Sequence, residues 1–360
     1  MKIDIAVLAG DGIGPEVVRQ ALRVLRAVGE KFQHEFSFSE GLIGGAAYEN
    51  YGMHLPAETI EICQDAKAIF FGSVGGPVKD LHLDKWRNCE RECLLGLRKT
   101  FQFNANIRPV EVHPYLSEIC PLKPEVIAEG INMMIIRELV GDIYFGAHER
   151  SMRDGKRVAT DVAEYTEDQI SSVAHIAFQA ARKRRKKVSS VDKANVLETS
   201  RLWREVVREV SKEYADVELE EVLVDNCAMQ LIIKPSQFDV ILASNMFGDI
   251  LSDAAAVLPG SLGLLASASM NAEGFGMYEP PGGSAQDIAG KGIANPTGQI
   301  LSAAMMLKYG FGLMDESNAI EQAVAKTFHS GLRTRDVYRQ AEGTSLVGTV
   351  EFADAVITNI

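Results

Sequence analysis

Residues 238–253 read FDVILASNMFGDILSD, a short apolar run that leads into a predicted helix. Phe238–Ser244 is typical of a buried strand. A turn containing Asn245 and Gly248 follows, and the helix is predicted to begin near Asp249. Asp249 and Asp253 are four residues apart, so on a helix they face the same way and repel each other unless a cation lies between them. An acidic helix N-terminus would explain Asp249 but explains Asp253 poorly.

The pair follows the carboxyl end of a strand, where ligands of open α/β sheets bind. Carboxylate oxygens are the ligands that Mg²⁺ and Mn²⁺ prefer. The stretch therefore predicts a site for one of these cations.

The same alternation of strand, glycine-containing turn and helix extends in both directions from this stretch. Further predicted strands are Ile3–Ala9, Ala68–Val74, Asn132–Ile136 and Val188–Asp192. Predicted helices include Pro15–Ala27, Asp168–Arg185 and Leu202–Glu213. Residues 147–165 are polar and irregular, which predicts a surface loop or a protruding hairpin. This order of elements is typical of an α/β protein with a largely parallel sheet.

Composition narrows the classes of protein and of partner. A chain of 360 residues is long for one core, so two domains or one body with an added lobe are expected. A net charge of −12 gives no general attraction for nucleic acid or an anionic membrane. The basic run Arg182–Lys187 is interpreted as a solvated helix end. No apolar run is long enough for a transmembrane helix, and five loosely spaced cysteines favour free thiols in the cytoplasm.

Cationic residues against this acidic background point to an anionic substrate. Arg98, Arg108 and Arg137 lie near predicted strand or helix ends, and arginine binds carboxylates bidentately, which suits a di-acid. Taken singly, each is more often a surface ion pair. Lys193 directly follows the strand VSSVD, where a positive field could lower its pKa enough for a base. Tyr144, in DIYFG, is a candidate acid.

The chain contains two glycine-rich segments, one interpreted as a tight turn and the other as a candidate ligand site. Residues 10–16, GDGIGPE, do not form a dinucleotide fingerprint because Pro15 stands where a glycine is required. We interpret them as a tight turn before a helix that starts with proline. Residues 282–290, GGSAQDIAG, would allow a phosphate-bearing ligand to approach the backbone. Asp287 would accept from a ribose 2′-hydroxyl and repel a 2′-phosphate, favouring NAD over NADP. A long surface loop is the alternative.

Taken together, the motifs resemble one family over essentially the whole chain. They include GDGIGPE, LLGLRK, NIRP, IYFG, VDKANVLE, FGDILSD, LPGSLGLL and GKGIANP, in family order. The chain resembles the isopropylmalate branch of the isocitrate/isopropylmalate dehydrogenase family. This implies an α/β fold, different from the Rossmann fold, with a large twisted mixed sheet flanked by helices. One domain would contain residues 1–102 and 254–360, the other residues 103–253. A homodimer with shared active sites is also implied.

The resemblance implies a role for each matching residue. Tyr144 and Lys193 match the catalytic acid and base, and Lys193 would come from the other subunit. Metal-ligand positions are Asp225, also from the other subunit, Asp249 and Asp253. Substrate positions are Glu90, Leu94, Leu95, Arg98, Arg108, Arg137 and Asp225, with Glu90 and the two leucines at the γ-substituent. Cofactor positions are Ile13, Val74, Gly75, Gly76, Glu90, Gly283, Ser284, Ala285, Asp287, Ile288 and Asn295.

The implied activity is NAD- and Mg²⁺- or Mn²⁺-dependent oxidative decarboxylation of a 2-hydroxy di-acid, 3-isopropylmalate, in leucine biosynthesis. The same chemistry on another 3-substituted malate, homoisocitrate, tartrate or D-malate stays open, as does an inactive homologue that binds NAD. Departures from the family pattern are Val140, Asp142, Gly282 and Gln286, and the segment AHERS at 147–151 where a proline-glycine turn is usual. Val140 lacks the hydroxyl usual beside the substrate arginine, which is expected to disturb local hydrogen bonding.

Overall fold

The computed structural model describes residues 1–360, which divide into two compact units. The first consists of Met1–Phe101, His113–Cys120 and Pro259–Ile360 and contains both chain ends. The second consists of Gln102–Val112 and Pro121–Leu258.

The chain forms fourteen strands. They are β1 (Lys2–Gly10), β2 (Glu35–Glu40), β3 (Ala68–Ser73), β4 (Ala105–Glu111), β5 (Asn132–Glu138), β6 (His148–Arg153), β7 (Lys156–Asp161), β8 (Lys187–Asp192), β9 (Glu218–Leu223), β10 (Val240–Ala243), β11 (Ser267–Met270), β12 (Gly276–Glu279), β13 (Leu332–Arg333) and β14 (Ser345–Leu346).

Each unit contains five strands of mixed sheet. Their order is β2-β1-β3-β12-β11 in the first unit and β4-β5-β10-β8-β9 in the second. Within each group one pair is antiparallel, β11 with β12 and β4 with β5, and the other neighbours are parallel. Strands β3 and β10 are buried along their whole length, as strands covered on both faces should be.

Helices pack on these strands and complete the α/β architecture. They are α1 (Gly14–Phe32), α2 (Gly45–Tyr51), α3 (Ala57–Asp65), α4 (Gly96–Thr100), α5 (Pro124–Ile127), α6 (Glu167–Arg182), α7 (Glu198–Ser211), α8 (Val224–Ile233), α9 (Asn245–Ala256), α10 (Thr297–Met305), α11 (Met314–His329) and α12 (Thr349–Asn359). In the first unit α1 contacts β1, β2 and β3, and in the second α6 contacts β5, β8 and β10. The predicted α/β class, with a mixed sheet flanked by helices, is confirmed.

The polar segment at 147–165 forms a hairpin, the second of the two predicted alternatives. Strands β6 and β7 pair from His148 with Asp161 to Arg153 with Lys156. Nearly every residue of both strands is exposed, and Gly155 at the tip has φ of +71°. A glycine accepts that conformation without a steric penalty.

The basic run at 182–187 lies at the end of a helix and is mostly exposed, as predicted, but it also forms ion pairs. Helix α6 ends at Arg182, and Lys187 already begins β8. Arg182 pairs with Asp216 at 2.7 Å and Arg184 with the buried Asp239 at 2.8 Å. The run is therefore largely neutralised within the chain by acidic residues that are distant in sequence.

The GDGIGPE segment forms the predicted tight turn and proline-started helix. Pro15 stands in the first turn of α1. Gly12 has φ of +60°, and a Cβ there would lie 1.9 Å from the carbonyl oxygen of Ser284. The backbone N–H of Ile13 donates to that same oxygen at 2.8 Å. Gly12 thus allows two chain segments of the first unit to touch through their backbones.

Replacing Gly12 with alanine is expected to lower the free energy of unfolding by about 3 kcal/mol or more. Gly52→Ala is the matched control, because Gly52 has φ of +68° but no atom near its Cβ position. It should cost about 1–2 kcal/mol, the penalty for the left-handed backbone alone. Urea unfolding of both variants measures the difference. Equal losses would show that the contact with Ser284 can shift without cost.

Candidate active site

The carboxylate pair lies on α9, directly after the buried strand β10. Helix α9 begins at Asn245, four residues before the predicted start, because the N–H of Gly248 already donates to Ser244 O at 2.7 Å. Asn245, Asp249 and Asp253 are spaced i, i+4 and i+8, so they form one row along the helix, here named the α9 row. Asn245 is buried, the Asp249 side chain is one third exposed and Asp253 is mostly exposed. The row presents two carboxylates beside a buried amide.

Two of the three predicted substrate arginines meet the α9 row. The antiparallel register of β4 and β5 puts Asn106 opposite Arg137, and Arg108 lies two residues from Asn106 on the same face. Arg108 Nη1 donates to Asp253 Oδ1 at 2.6 Å, and Arg137 Nη1 donates to Asp249 Oδ1. Both guanidinium groups are largely buried.

Tyr144 lies beside the same carboxylate. Its hydroxyl donates to Asp249 Oδ2 at 3.1 Å, and the Arg137 guanidinium lies 5.7 Å from the centre of its ring. Desolvation raises the pKa of Tyr144, and the negative charge of Asp249 acts in the same direction. A raised pKa means that the phenol keeps its proton at neutral pH.

Lys193 and Asp225 form a second group in this unit. Lys193 directly follows β8, and Asp225 lies in the first turn of α8, which follows the neighbouring parallel strand β9. Lys193 Nζ donates to Asp225 Oδ1 at 2.7 Å. This hydrogen bond holds the pKa of the exposed Asp225 carboxyl below its usual range.

A single chain does not assemble a complete metal site. No three His, Cys, Asp or Glu side chains come together as a metal-holding group, so Asp225 does not join Asp249 and Asp253 within this chain. The donors themselves fit Mg²⁺ or Mn²⁺, because all are carboxylate oxygens and none is a thiolate or imidazole. Asp249 and Asp253 would hold two sides of such an ion.

The first unit contains a cavity of about 470 Å³. Five of the predicted cofactor residues line it: Ile13, Gly283, Ala285, Ile288 and Asn295. Its volume falls in the range of ordinary small-molecule pockets, and apolar and backbone atoms dominate its wall. The lining fits the flat apolar face of a nucleotide base.

The other predicted cofactor residues are not among those that line this cavity. Ser284 is buried and contributes its backbone carbonyl to the GDGIGPE turn, whereas Asp287 is exposed. Val74, Gly75 and Gly76 follow β3. Gly75 has φ of +121°, and a Cβ there would lie 2.8 Å from Glu90 Oε1.

The segment predicted to recognise the substrate forms a helical stretch in the first unit. Cys89, Cys93 and Leu97 are buried, so one face of residues 89–98 packs inward. Glu90 is exposed, and Leu94, Leu95 and Arg98 are partly exposed. Leu94 and Arg98 are four residues apart and share a face. The two leucines offer apolar surface beside a cation.

Sequence reasoning missed several polar residues that belong to these sites. Asn106, Asn245 and Ser252 all contact the arginines of the second unit. In the first unit Arg335 and Asp336 line the cavity, and Asp336 accepts from the Asn295 amide at 3.0 Å. The NIRP and SNMFGD motifs contain the two asparagines, but no local pattern separates a site residue from a turn residue there.

A family model described as isocitrate/isopropylmalate dehydrogenase matches residues 4–356. This chain belongs to that family.

Relatives and solved structures support the assignment over the whole chain. A 3-isopropylmalate dehydrogenase of Geobacter sulfurreducens is 54% identical over 98% of both chains. One from Haemophilus influenzae is 52% identical over the same shares. Among solved structures, isocitrate dehydrogenase from Methylococcus capsulatus superposes with a TM-score of 0.84 at 34% identity, covering 99% of each chain. The fold and the family thus agree.

Three of the residues that depart from the usual family pattern, Val140, Asp142 and Gln286, make defined hydrogen bonds. The carboxylate of Glu138 accepts from the backbone N–H groups of Val140 and Gly141 at 2.6 and 2.9 Å, so this turn is held without a hydroxyl at position 140. Asp142 has φ of +70°, and its carboxylate accepts from Met246 N at 3.1 Å. Gln286 donates to Gly75 O at 2.7 Å. The expected disturbance at Val140 does not occur in the backbone.

None of the helices combines the length and the apolar character needed to cross a membrane.

Proposed function

We propose that this chain is an NAD- and divalent-metal-dependent 3-isopropylmalate dehydrogenase. It would convert (2R,3S)-3-isopropylmalate to 4-methyl-2-oxopentanoate and CO₂ in cytoplasmic leucine biosynthesis. The α9 row carries the proposal, because it places two carboxylates against two arginines and a phenol. That combination suits a substrate with two carboxylates and a hydroxyl. The names of the relatives support the choice of substrate.

Each residue has a defined part in the proposed reaction. When bound, NAD accepts a hydride and the divalent cation supplies Lewis acidity. Arg108 and Arg137 bind the substrate carboxylates and orient the 2-hydroxyl. Lys193 Nζ accepts the proton of that hydroxyl as hydride leaves C2. After CO₂ departs, the Tyr144 hydroxyl gives a proton to the carbon that carried it.

Substrate choice is assigned to the first unit. Leu94 and Leu95 would contact the isopropyl group, and Arg98 would assist with a carboxylate. A third substrate carboxylate, as in isocitrate, would lie against two leucines, which cannot neutralise its charge. Since apolar pockets discriminate by only about 10–200-fold per methylene, close 3-alkyl malates should also react. The cavity with Asp287 at its side is assigned to the adenosine half of NAD.

The test is NADH formation from 3-isopropylmalate and NAD, first with Mg²⁺ and then with EDTA. Isocitrate, D-malate, tartrate and homoisocitrate, and NADP in place of NAD, run in parallel. Turnover that EDTA abolishes and that prefers 3-isopropylmalate and NAD would support the proposal. Activity on another di-acid would keep the chemistry and reject the assignment of Leu94 and Leu95. No turnover on any substrate would favour an inactive homologue.

We also propose a homodimer in which Lys193 and Asp225 complete the partner's site. In the second unit, α8 and α9 contact each other and expose large apolar side chains. These are Met229, Ile232, Ile233, Ile250 and Val257. Exposed apolar patches of this kind mark interaction surfaces. A second copy covering them would bring in the third carboxylate that one chain does not assemble.

Ile232→Asp is expected to convert the dimer to a monomer and to abolish turnover, because a buried unpaired charge costs several kcal/mol. Light scattering measures the mass, and the NADH assay measures activity. Val78→Asp is the control, since Val78 is equally apolar and more exposed but lies in the first unit. A monomeric Ile232→Asp variant with full turnover would contradict the shared site.

A further inference from the structure

Arg108 is held on two sides of its guanidinium group. Nε donates to Asn106 Oδ1 at 2.7 Å. Nη1 donates to Ser252 Oγ at 2.8 Å and to Asp253 Oδ1 at 2.6 Å. The Nε edge thus rests on an asparagine, and the opposite nitrogen reaches the α9 row.

Arg137 repeats this arrangement from the adjacent strand. Its Nε and Nη2 donate to Asn245 Oδ1 at 3.0 and 2.8 Å, and its Nη1 donates to Asp249. Gly248 allows helix α9 to lie close to Arg137, because a Cβ at position 248 would be 2.8 Å from Arg137 Cβ and Cγ. Both arginines therefore have an asparagine on the Nε side and an aspartate of α9 on the Nη1 side.

Both asparagines are themselves fixed. Asn106 and Asn245 are each 1% exposed. The Asn245 side chain donates to Gly141 O at 3.0 Å, and its backbone N–H donates to the Tyr165 hydroxyl at 2.8 Å. Tyr165 in turn donates to the buried carboxylate of Glu138 at 2.9 Å. Asn106 is held by the strand register, directly opposite Arg137.

We propose that Asn106 and Asn245 are positioning residues that set the orientation of Arg108 and Arg137 for a di-acid substrate. This inference rests on the proposed function. A guanidinium is a planar fork on a flexible stem, and two forks bind two carboxylates well only if both planes are set before the substrate arrives. An acceptor fixed at Nε defines the plane, and the aspartate at Nη1 alone would leave it free to rotate. The buried amides supply those acceptors without adding negative charge.

A role in folding alone predicts a different outcome. If the two asparagines only stabilised the fold, their replacement would lower the melting temperature and leave substrate affinity unchanged. Asn104→Ala provides the comparison, because Asn104 lies next to β4 in the same unit and donates to Ser172 rather than to an arginine.

The experiment compares Asn106→Ala, Asn245→Ala and Asn104→Ala with the unaltered protein, at saturating Mg²⁺. In the first two, the KM for 3-isopropylmalate is expected to rise about 10- to 100-fold, as for the loss of a hydrogen bond to a charged group. The KM for NAD should stay within about twofold, since the proposed NAD residues belong to the first unit and both asparagines to the second. The value of kcat should fall less than KM rises. In Asn104→Ala both KM values should remain unchanged.

Crystal structures of the Asn106→Ala and Asn245→Ala variants provide a readout that does not depend on turnover. The Arg108 or Arg137 guanidinium plane is expected to rotate away from its orientation in the unaltered protein. An unmoved guanidinium would overturn the inference, and so would a KM change no larger than in Asn104→Ala. If the unaltered protein does not turn over 3-isopropylmalate, the proposed function fails, and the crystallographic result decides the positioning role alone.

Discussion

Replacing Lys193 with alanine is expected to lower kcat about 10²- to 10⁴-fold, the contribution typical of a general base. Substrate KM should change little, because Arg108 and Arg137 provide the proposed carboxylate contacts. The variant also removes the hydrogen bond to Asp225. The pKa of that carboxyl should consequently rise toward its ordinary value, which carbon NMR titration detects independently of activity.

The matched control is Lys187→Ala. Lys187 begins the same strand that Lys193 follows, and it pairs with Glu220 at 2.8 Å on the surface. Its loss should cost about 1 kcal/mol of stability at most and leave kcat unchanged. Near-normal turnover by Lys193→Ala would reject its role as base. A loss confined to Lys193→Ala, with the rise in the Asp225 pKa, would support both the role and the pairing.

The sequence predicted elements whose cause is local. The apolar run at 68–74 forms β3, and Pro15 starts α1 as expected, since burial periodicity and proline geometry act within a few residues. The start of α9 was placed too late because Asn245 and Gly248 are typical turn residues. Here they lie in the first helical turn, where Gly248 leaves room for Arg137. That contact joins distant segments, and no local pattern contains it.

The same distinction between local and long-range causes applies to the candidate site. Asp249 and Asp253 could be paired from their spacing alone, because a helix has a fixed period. The partners of the basic run at 182–187 could not, since Asp216 and Asp239 approach only when the second unit folds. For the same reason the contacts of Asn106 and Asn245 with Arg108 and Arg137 could not be predicted from the sequence. The sequence thus predicts which chemical groups are available, and tertiary packing determines which of them meet.

Asp249→Asn is expected to reduce turnover by about 10³-fold or more, because the loss of metal-assisted stabilisation is worth several kcal/mol. The substitution preserves shape and one acceptor oxygen but removes the charge between Arg137 Nη1 and the Tyr144 hydroxyl. A second effect of the substitution can be measured independently of turnover. Mg²⁺ is expected to raise the melting temperature of the unaltered protein, and this increase should disappear in the variant, whether or not substrate is present.

The control is Asp216→Asn, which removes an exposed carboxylate paired with Arg182 in the same unit. It should keep both turnover and the Mg²⁺-dependent increase in melting temperature. If Asp249→Asn keeps that increase but loses activity, Asp249 acts through Arg137 and Tyr144 rather than through a cation. If it keeps both, the α9 row is an ion-pair surface, and the metal assignment fails together with the mechanism built on it. The melting measurement therefore separates cation binding from the other two explanations, and the NADH assay separates those two from each other.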